Sequence, residues 1–129
     1  MHKYILVDDD DVFNFIHSQI INQADDQAEV INYRTSTEVL NLLKATAESN
    51  GEMPDVIFLD INMPEMNGFE LLEELKNLPE EKLKEMKIFM VTSSLNEKDV
   101  ERAMSYSIVK GFKGKPLTEE MIEEIKNAS

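Results

Sequence analysis

The chain contains no cysteine, which excludes disulfides, thiolate metal sites and thiol catalysis. No apolar run approaches the ~20 residues of a membrane-spanning helix. Met1-His2-Lys3-Tyr4 leads straight into a short strand-like run without the pattern of a signal peptide. A cytoplasmic protein with no membrane partner is therefore expected. Positive charge is scarce: 13 Lys and Arg stand against 26 Asp and Glu, a formal net charge of −13. Phosphate backbones are gripped by clustered basic side chains, so direct nucleic-acid binding is not expected. Internal repeats and low-complexity linkers are also missing.

The remaining composition is that of a soluble globular protein, with 42% hydrophobic and 30% charged residues. A length of 129 residues suits one domain, residues 1–129, and no separate output domain is expected. Much of the negative charge falls in runs such as Glu70-Leu71-Leu72-Glu73-Glu74 and Glu119-Glu120-Met121-Ile122-Glu123-Glu124, which read as solvated helix faces.

Apolar runs of strand length alternate with segments of helical period, the pattern of a parallel sheet with crossover helices. The strands are expected at Tyr4 to Val7, Glu29 to Tyr33, Asp55 to Leu59, Lys87 to Val91 and Val109 to Gly114. Several are continuously apolar, as strands covered on both faces should be. Between them, five series recur at helical spacing and are each expected to form a buried stripe. They are Val12, Ile16 and Ile20; Val39, Leu40, Leu43 and Ala47; Leu71, Leu72 and Leu75; Val100, Ala103 and Met104; and Met121, Ile122 and Ile125. Helix starts are marked by Thr35-Ser36-Thr37-Glu38, by Asn96 and by Thr118, and breaks by Asn50-Gly51, Asn67-Gly68, Pro79 and Lys115-Pro116. Five βα pairs predict an α/β fold with an open, doubly wound, five-stranded parallel sheet. Ligands of such sheets bind outside the carboxyl ends of the strands, at the switch in strand order.

Those strand ends carry Asp8-Asp9-Asp10-Asp11 after the first strand, Asp60 after the third, Thr92-Ser93-Ser94 after the fourth and Lys115 after the fifth. Carboxylates crowded at the mouth of an apolar sheet repel one another and lose solvation, so a positive group must compensate them. A hard divalent cation with oxygen ligands does so economically. Asp10 and Asp11 suit the start of a helix, whose N-terminal N–H groups favour acids. Asp8 and Asp9 sit directly on the strand end and are better read as cation ligands. Asp60 alone reads as a turn aspartate.

Taken together, four segments resemble the receiver domains of two-component response regulators of the chemotaxis-regulator type. They are Val7-Asp8-Asp9, Leu59-Asp60-Ile61-Asn62-Met63-Pro64-Glu65-Met66-Asn67-Gly68, Val91-Thr92-Ser93 and Phe112-Lys113-Gly114-Lys115-Pro116, and the resemblance covers essentially the whole chain. It implies the flavodoxin-like strand order 2-1-3-4-5, with Asp60 as the nucleophile that becomes an aspartyl phosphate. Mg²⁺ (or Mn²⁺) would be ligated by Asp9, Asp60 and the backbone carbonyl of Asn62, with Asp8 acting mainly through a metal-bound water. Thr92 would donate its hydroxyl to a phosphoryl oxygen, and Lys115 would pair with the phosphoryl charge. Phe112 would be the aromatic switch coupled to Thr92, working by packing alone because it has no hydroxyl. Asn62 and Ser94 would flank the line of water attack, and Lys115-Pro116 is a candidate cis bond. The phosphodonor would be a histidine kinase or a phosphotransfer protein, and the output face the fourth helix, fifth strand and fifth helix (Glu97 to Ser107, Val109 to Gly114, Thr118 to Asn127). Phosphate could instead be passed along a relay.

An aspartyl-phosphate phosphohydrolase of the haloacid-dehalogenase type is the competing reading. Such enzymes place an acid two residues after the nucleophile, where this chain has Asn62, and no segment is long enough for a substrate-enclosing cap. A pseudo-receiver that only binds protein is disfavoured by the full set of site residues. Met63 and Met66 read as loop fillers. His17, inside the first helix, and His2 have no evident partner constellation.

Overall fold

In the computed structural model, which describes residues 2–93 and 95–127, five parallel strands form one sheet in the order β2-β1-β3-β4-β5. The strands are β1 His2–Val7, β2 Ala28–Tyr33, β3 Val56–Asp60, β4 Lys87–Thr92 and β5 Val109–Gly114. Each lies within two residues of its expected place. The helices are α1 Asp11–Ala24, α2 Ser36–Glu48, α3 Gly68–Leu75, α4 Glu80–Leu83, α5 Glu97–Met104 and α6 Glu119–Asn127. The four-residue α4, beginning at the expected break at Pro79, is too short to leave a periodic signature. Helix α5 ends at Met104, three residues before the expected Ser107.

Strand periodicity divides the core in two. Ile5, Val7, Ile57, Leu59, Ile88 and Met90 face one way and pack with Val39, Leu40 and Leu43 of α2, with Leu71, Leu72 and Leu75 of α3, and with Ala103 of α5. Tyr4, Leu6, Val56, Phe58, Phe89 and Val91 face the other way and pack with Ile21 and Ala24 of α1 and Ile122 and Ile125 of α6. Burial on both faces is why these strands read as continuously apolar.

Helix ends follow the sequence signals. Asp10 accepts from the Val12 N–H (2.9 Å), Thr35 from the Glu38 N–H (3.2 Å) and Asn96 from the Lys98 N–H (2.9 Å). Thr118 accepts from the Met121 N–H at 3.2 Å. Asn67, expected only as a break, caps α3: its side chain accepts from the Glu70 N–H (2.9 Å) while Glu70 accepts from the Asn67 N–H (3.0 Å).

Two stripes are not as expected. On α1 the buried residues are Asn14, His17, Ile21 and Ala24, whereas Val12 is 65% and Ile16 37% exposed and Phe15 is 65% exposed beside them. Both sets satisfy helical spacing. The inner one was hidden because its first half is polar, matching the polar ends of the strands beneath it. On α5 only Ala103 is buried, and Met104 is 46% exposed.

Gly68 opens α3 against the backbone of the loop that follows β3. Its N–H donates to the Ile61 carbonyl (2.9 Å), and a Cβ at this position would stand 2.8 Å from the Asp60 carbonyl oxygen and 3.1 Å from Ile61 Cα. Both obstacles are backbone and cannot rotate aside. Gly68→Ala is therefore expected to lower the unfolding free energy by about 1–3 kcal/mol despite the better helix propensity of alanine. The shift of the urea midpoint at constant slope measures it.

Candidate functional site

The strand order reverses between β1 and β3, and the residues at their carboxyl ends meet there. Asp8 continues the parity of Tyr4 and Leu6, and Asp60 that of Val56 and Phe58, so both carboxylates lie on the side of the sheet covered by α1 and α6. Asp8 is 4% and Asp60 6% exposed, while Asp9 is open to solvent. One carboxylate oxygen from each of Asp8, Asp9 and Asp60 lies within 4.8 Å of the others. Three close hard oxygen donors fit a divalent cation of the Mg²⁺ class. Asn62, two residues beyond, is exposed, and its N–H donates to Asp60 Oδ1 at 3.4 Å.

Lys115 supplies the positive charge. Its Nζ lies 2.6 Å from Asp8 Oδ2 and 3.3 Å from Asp60 Oδ2, with only 7% of the side chain exposed. It also sits 4.5 Å from the centre of the Phe13 ring. The Lys115 N–H donates to the Thr92 carbonyl (2.8 Å), so the β5–α6 connection is tied to the end of β4, where Thr92 is 2% exposed. The Lys115–Pro116 peptide bond is cis. Burial is the largest influence on the Asp60 carboxyl and pushes its pKa up to about 6, with Asp8 adding to the rise and Lys115 opposing it. The same two carboxylates hold the Lys115 ammonium above its usual range against the opposing effect of burial.

The first helix contributes three side chains that sequence reasoning missed. Phe13 lies against Lys115, Asn14 donates from Nδ2 to the Asp8 carbonyl (2.8 Å), and His17 Nε2 accepts the Leu117 N–H (3.1 Å). The expectation that His17 has no partners is thus corrected. That residue is buried, and its ring centre lies 5.5 Å from that of Phe13. The available signal was the unbroken helical spacing of Asn14, His17, Ile21 and Ala24. His2 is corrected likewise, since its Nδ1 pairs with Asp25 Oδ2 (2.5 Å), which also accepts from the Tyr4 hydroxyl (3.1 Å). This cluster lies at the start of β1, away from the acidic pocket.

Of the remaining residues singled out in the sequence, Asp10 and Asp11 stand at the start of α1, and Asp11 meets Arg34 at 3.2 Å. Met63 is buried in the core and Met66 packs against it. Phe112 pairs with Met90 in the sheet and lines a hollow of about 400 Å³ with Leu95, Asn96, Glu97, Val100 and Glu101. Ser94 lies outside the described residues. No helix among the described residues is long and apolar enough to cross a membrane.

Comparison with known proteins bears on this pocket and its frame. A two-component response regulator from Cytophaga hutchinsonii superposes with a TM-score of 0.90 at 28% identity, covering 99% of this chain and 96% of that one. A response regulator receiver protein from Dyadobacter fermentans gives 0.85 at 25% identity, covering 99% and 97%. Among curated relatives, response regulator Rcp1 of Synechocystis is 30% identical over 97 residues, 74% of this chain and 65% of the relative. A protein-glutamate methylesterase/protein-glutamine glutaminase of Agrobacterium fabrum is 32% identical over 116 residues, 88% of this chain and 30% of the relative. The chain thus spans less than two thirds of the length of either relative. The family model for the response regulator receiver domain matches residues 4–126. On that match, and on a five-stranded parallel sheet with the order seen in solved receivers, the chain belongs to the response regulator receiver domain family, a family of two-component signalling domains.

Proposed function

We propose that this receiver accepts a phosphoryl group on the Asp60 carboxylate from a histidine kinase or phosphotransfer protein, and that the phosphorylated form alters protein contacts or passes the group along a relay. The observation that carries the reading is the Lys115 ammonium held between Asp8 and Asp60 at the mouth of the sheet, with Asp9 close by. An incoming phosphoryl group carries several negative oxygens and needs preorganised positive and donor groups.

In the transfer, an Asp60 oxygen forms a bond to phosphorus while the bond from phosphorus to the donor's leaving atom breaks, and the leaving group takes that electron pair. Lys115 turns from Asp60 toward a phosphoryl oxygen, and the Thr92 hydroxyl donates to another. Asp9, Asp60 and the Asn62 carbonyl would hold Mg²⁺ or Mn²⁺, with Asp8 supporting the site indirectly. The cation, when bound, neutralises charge on the transferring group. Asn62, exposed two residues beyond Asp60, borders the approach of water and tunes the phosphoryl lifetime.

Phosphorylation adds about −1.5 to −2 charges beside Thr92 and Lys115 and draws the loops after β4 and β5 inward. Phe112 responds by repacking in its hollow, which alters the surface formed by α5, β5 and α6. The exposed Val12, Phe15 and Ile16 of α1 offer an apolar surface, just beyond Asp9, for the phosphodonor protein.

Incubation with Mg²⁺ and acetyl phosphate should add one phosphoryl group per chain by intact mass, and Asp60→Asn should abolish it; labelling that persists in that variant sinks the assignment. Multiple turnover of phosphate esters would favour the hydrolase reading instead. Lys115→Ala, which removes the main positive partner, should slow labelling by about a hundredfold.

Without divalent cation, the raised pKa of Asp60 makes the folded chain hold a proton that the unfolded chain releases between pH 3.8 and about 6. Its contribution to stability therefore falls as pH rises through that window. Asp60→Asn should leave stability unchanged near pH 3.5 and raise it by on the order of 2 kcal/mol above pH 6, as read from denaturant melts in chelator.

A further inference from the structure

The inner face of α1 presents an arrangement that the assigned roles leave unexplained. His17 is only 3% exposed, and a buried imidazole requires a hydrogen-bond partner to offset its lost hydration. It finds that partner 100 residues away, in the backbone N–H of Leu117. This N–H belongs to the turn that carries Lys115, two residues after the lysine. One helical turn before His17, Phe13 lies against the Lys115 ammonium.

We propose that His17 is a positioning residue for Lys115: by accepting the Leu117 N–H it fixes the Lys115-Pro116-Leu117 turn and so places the ammonium between Asp8 and Asp60. The inference rests on the reading of Asp60 as phospho-acceptor.

The geometry defines how the device works. To accept, Nε2 must be unprotonated, so the ring proton sits on Nδ1. Burial, the largest influence, lowers the His17 pKa to about 4; Lys115 acts in the same direction and Asp8 against it. The ring is therefore a neutral acceptor at neutral pH. The segment is gripped at three points: the Lys115 N–H by the Thr92 carbonyl, the Lys115 ammonium by Phe13 and the two carboxylates, and the Leu117 N–H by His17. Without the third grip, a buried donor loses its acceptor and the turn shifts to find another. A displacement of about 1 Å at a charged group is enough to cost orders of magnitude in rate.

Packing alone would predict something different, and two substitutions separate the cases. His17→Leu fills similar space without an acceptor, while His17→Gln offers an amide oxygen. With the full chain, acetyl phosphate and Mg²⁺, His17→Leu should label at least about tenfold more slowly than the parent, and His17→Gln should recover to within about threefold. Hydrogen exchange of the Leu117 amide should accelerate in His17→Leu and remain slow in His17→Gln. Parental labelling by His17→Leu, or equal slowing by both variants, overturns the positioning role. Failure of the parent itself to label would overturn the phospho-acceptor reading and this role with it, whereas the Leu117 exchange pattern reports on the hydrogen bond independently.

Discussion

Everything at the open end of this sheet is organised around one charge balance. Two carboxylates, Asp8 and Asp60, are buried at the adjoining ends of β1 and β3, and a single ammonium, Lys115, is drawn between them. Desolvation penalises each of the three charges, and their closeness offsets it together with the Asp10 and Asn62 N–H groups that donate to the two carboxylates. The ammonium can reach that position only if the chain after β5 folds back over the strand ends. The Thr92 carbonyl, the Phe13 ring and the His17 imidazole all hold that returning segment in place. The pocket is thus a property of tertiary closure: its acids come from one half of the chain and its base from the other.

The same balance leaves the acids only partly compensated. One ammonium against two buried carboxylates and a third exposed one leaves net negative charge, and Asp60 keeps a raised proton affinity even with Lys115 beside it. An additional cation, whether proton or metal, is what the geometry still accommodates. This gives the oxygen cluster a physical meaning beyond proximity of its atoms.

Much of this was legible in the sequence. Strands buried on both faces write themselves as apolar runs, and their carboxyl ends, where Asp8, Asp9, Asp60, Thr92 and Lys115 stand, could be read directly. Helix caps at Asp10, Thr35 and Asn96 were legible because a capping bond is local. The inner face of α1 was not, because hydrophobicity pointed to Val12 and Ile16 while the helix turns Asn14 and His17 inward to serve a polar site. Which of two equally periodic faces is buried depends on what lies beneath, and that is tertiary information. The depth of Lys115 and its contact with Phe13 likewise depend on segments about 100 residues apart. The short α4 escaped because four residues hold barely one turn.

Gly68 has a mechanical consequence for Asp60. The first turn of α3 abuts the Asp60 carbonyl so closely that even a methyl group would not fit, and the turn is locked by its capping box and by the bond to Ile61. Helix α3 therefore serves as a backstop. The Asp60 peptide cannot recoil toward it without pushing the whole helix and its buried Leu71, Leu72 and Leu75. Force applied to this carboxylate is borne on that side by rigid backbone, and compliance is left to the strand mouth and to the side chains that close over it.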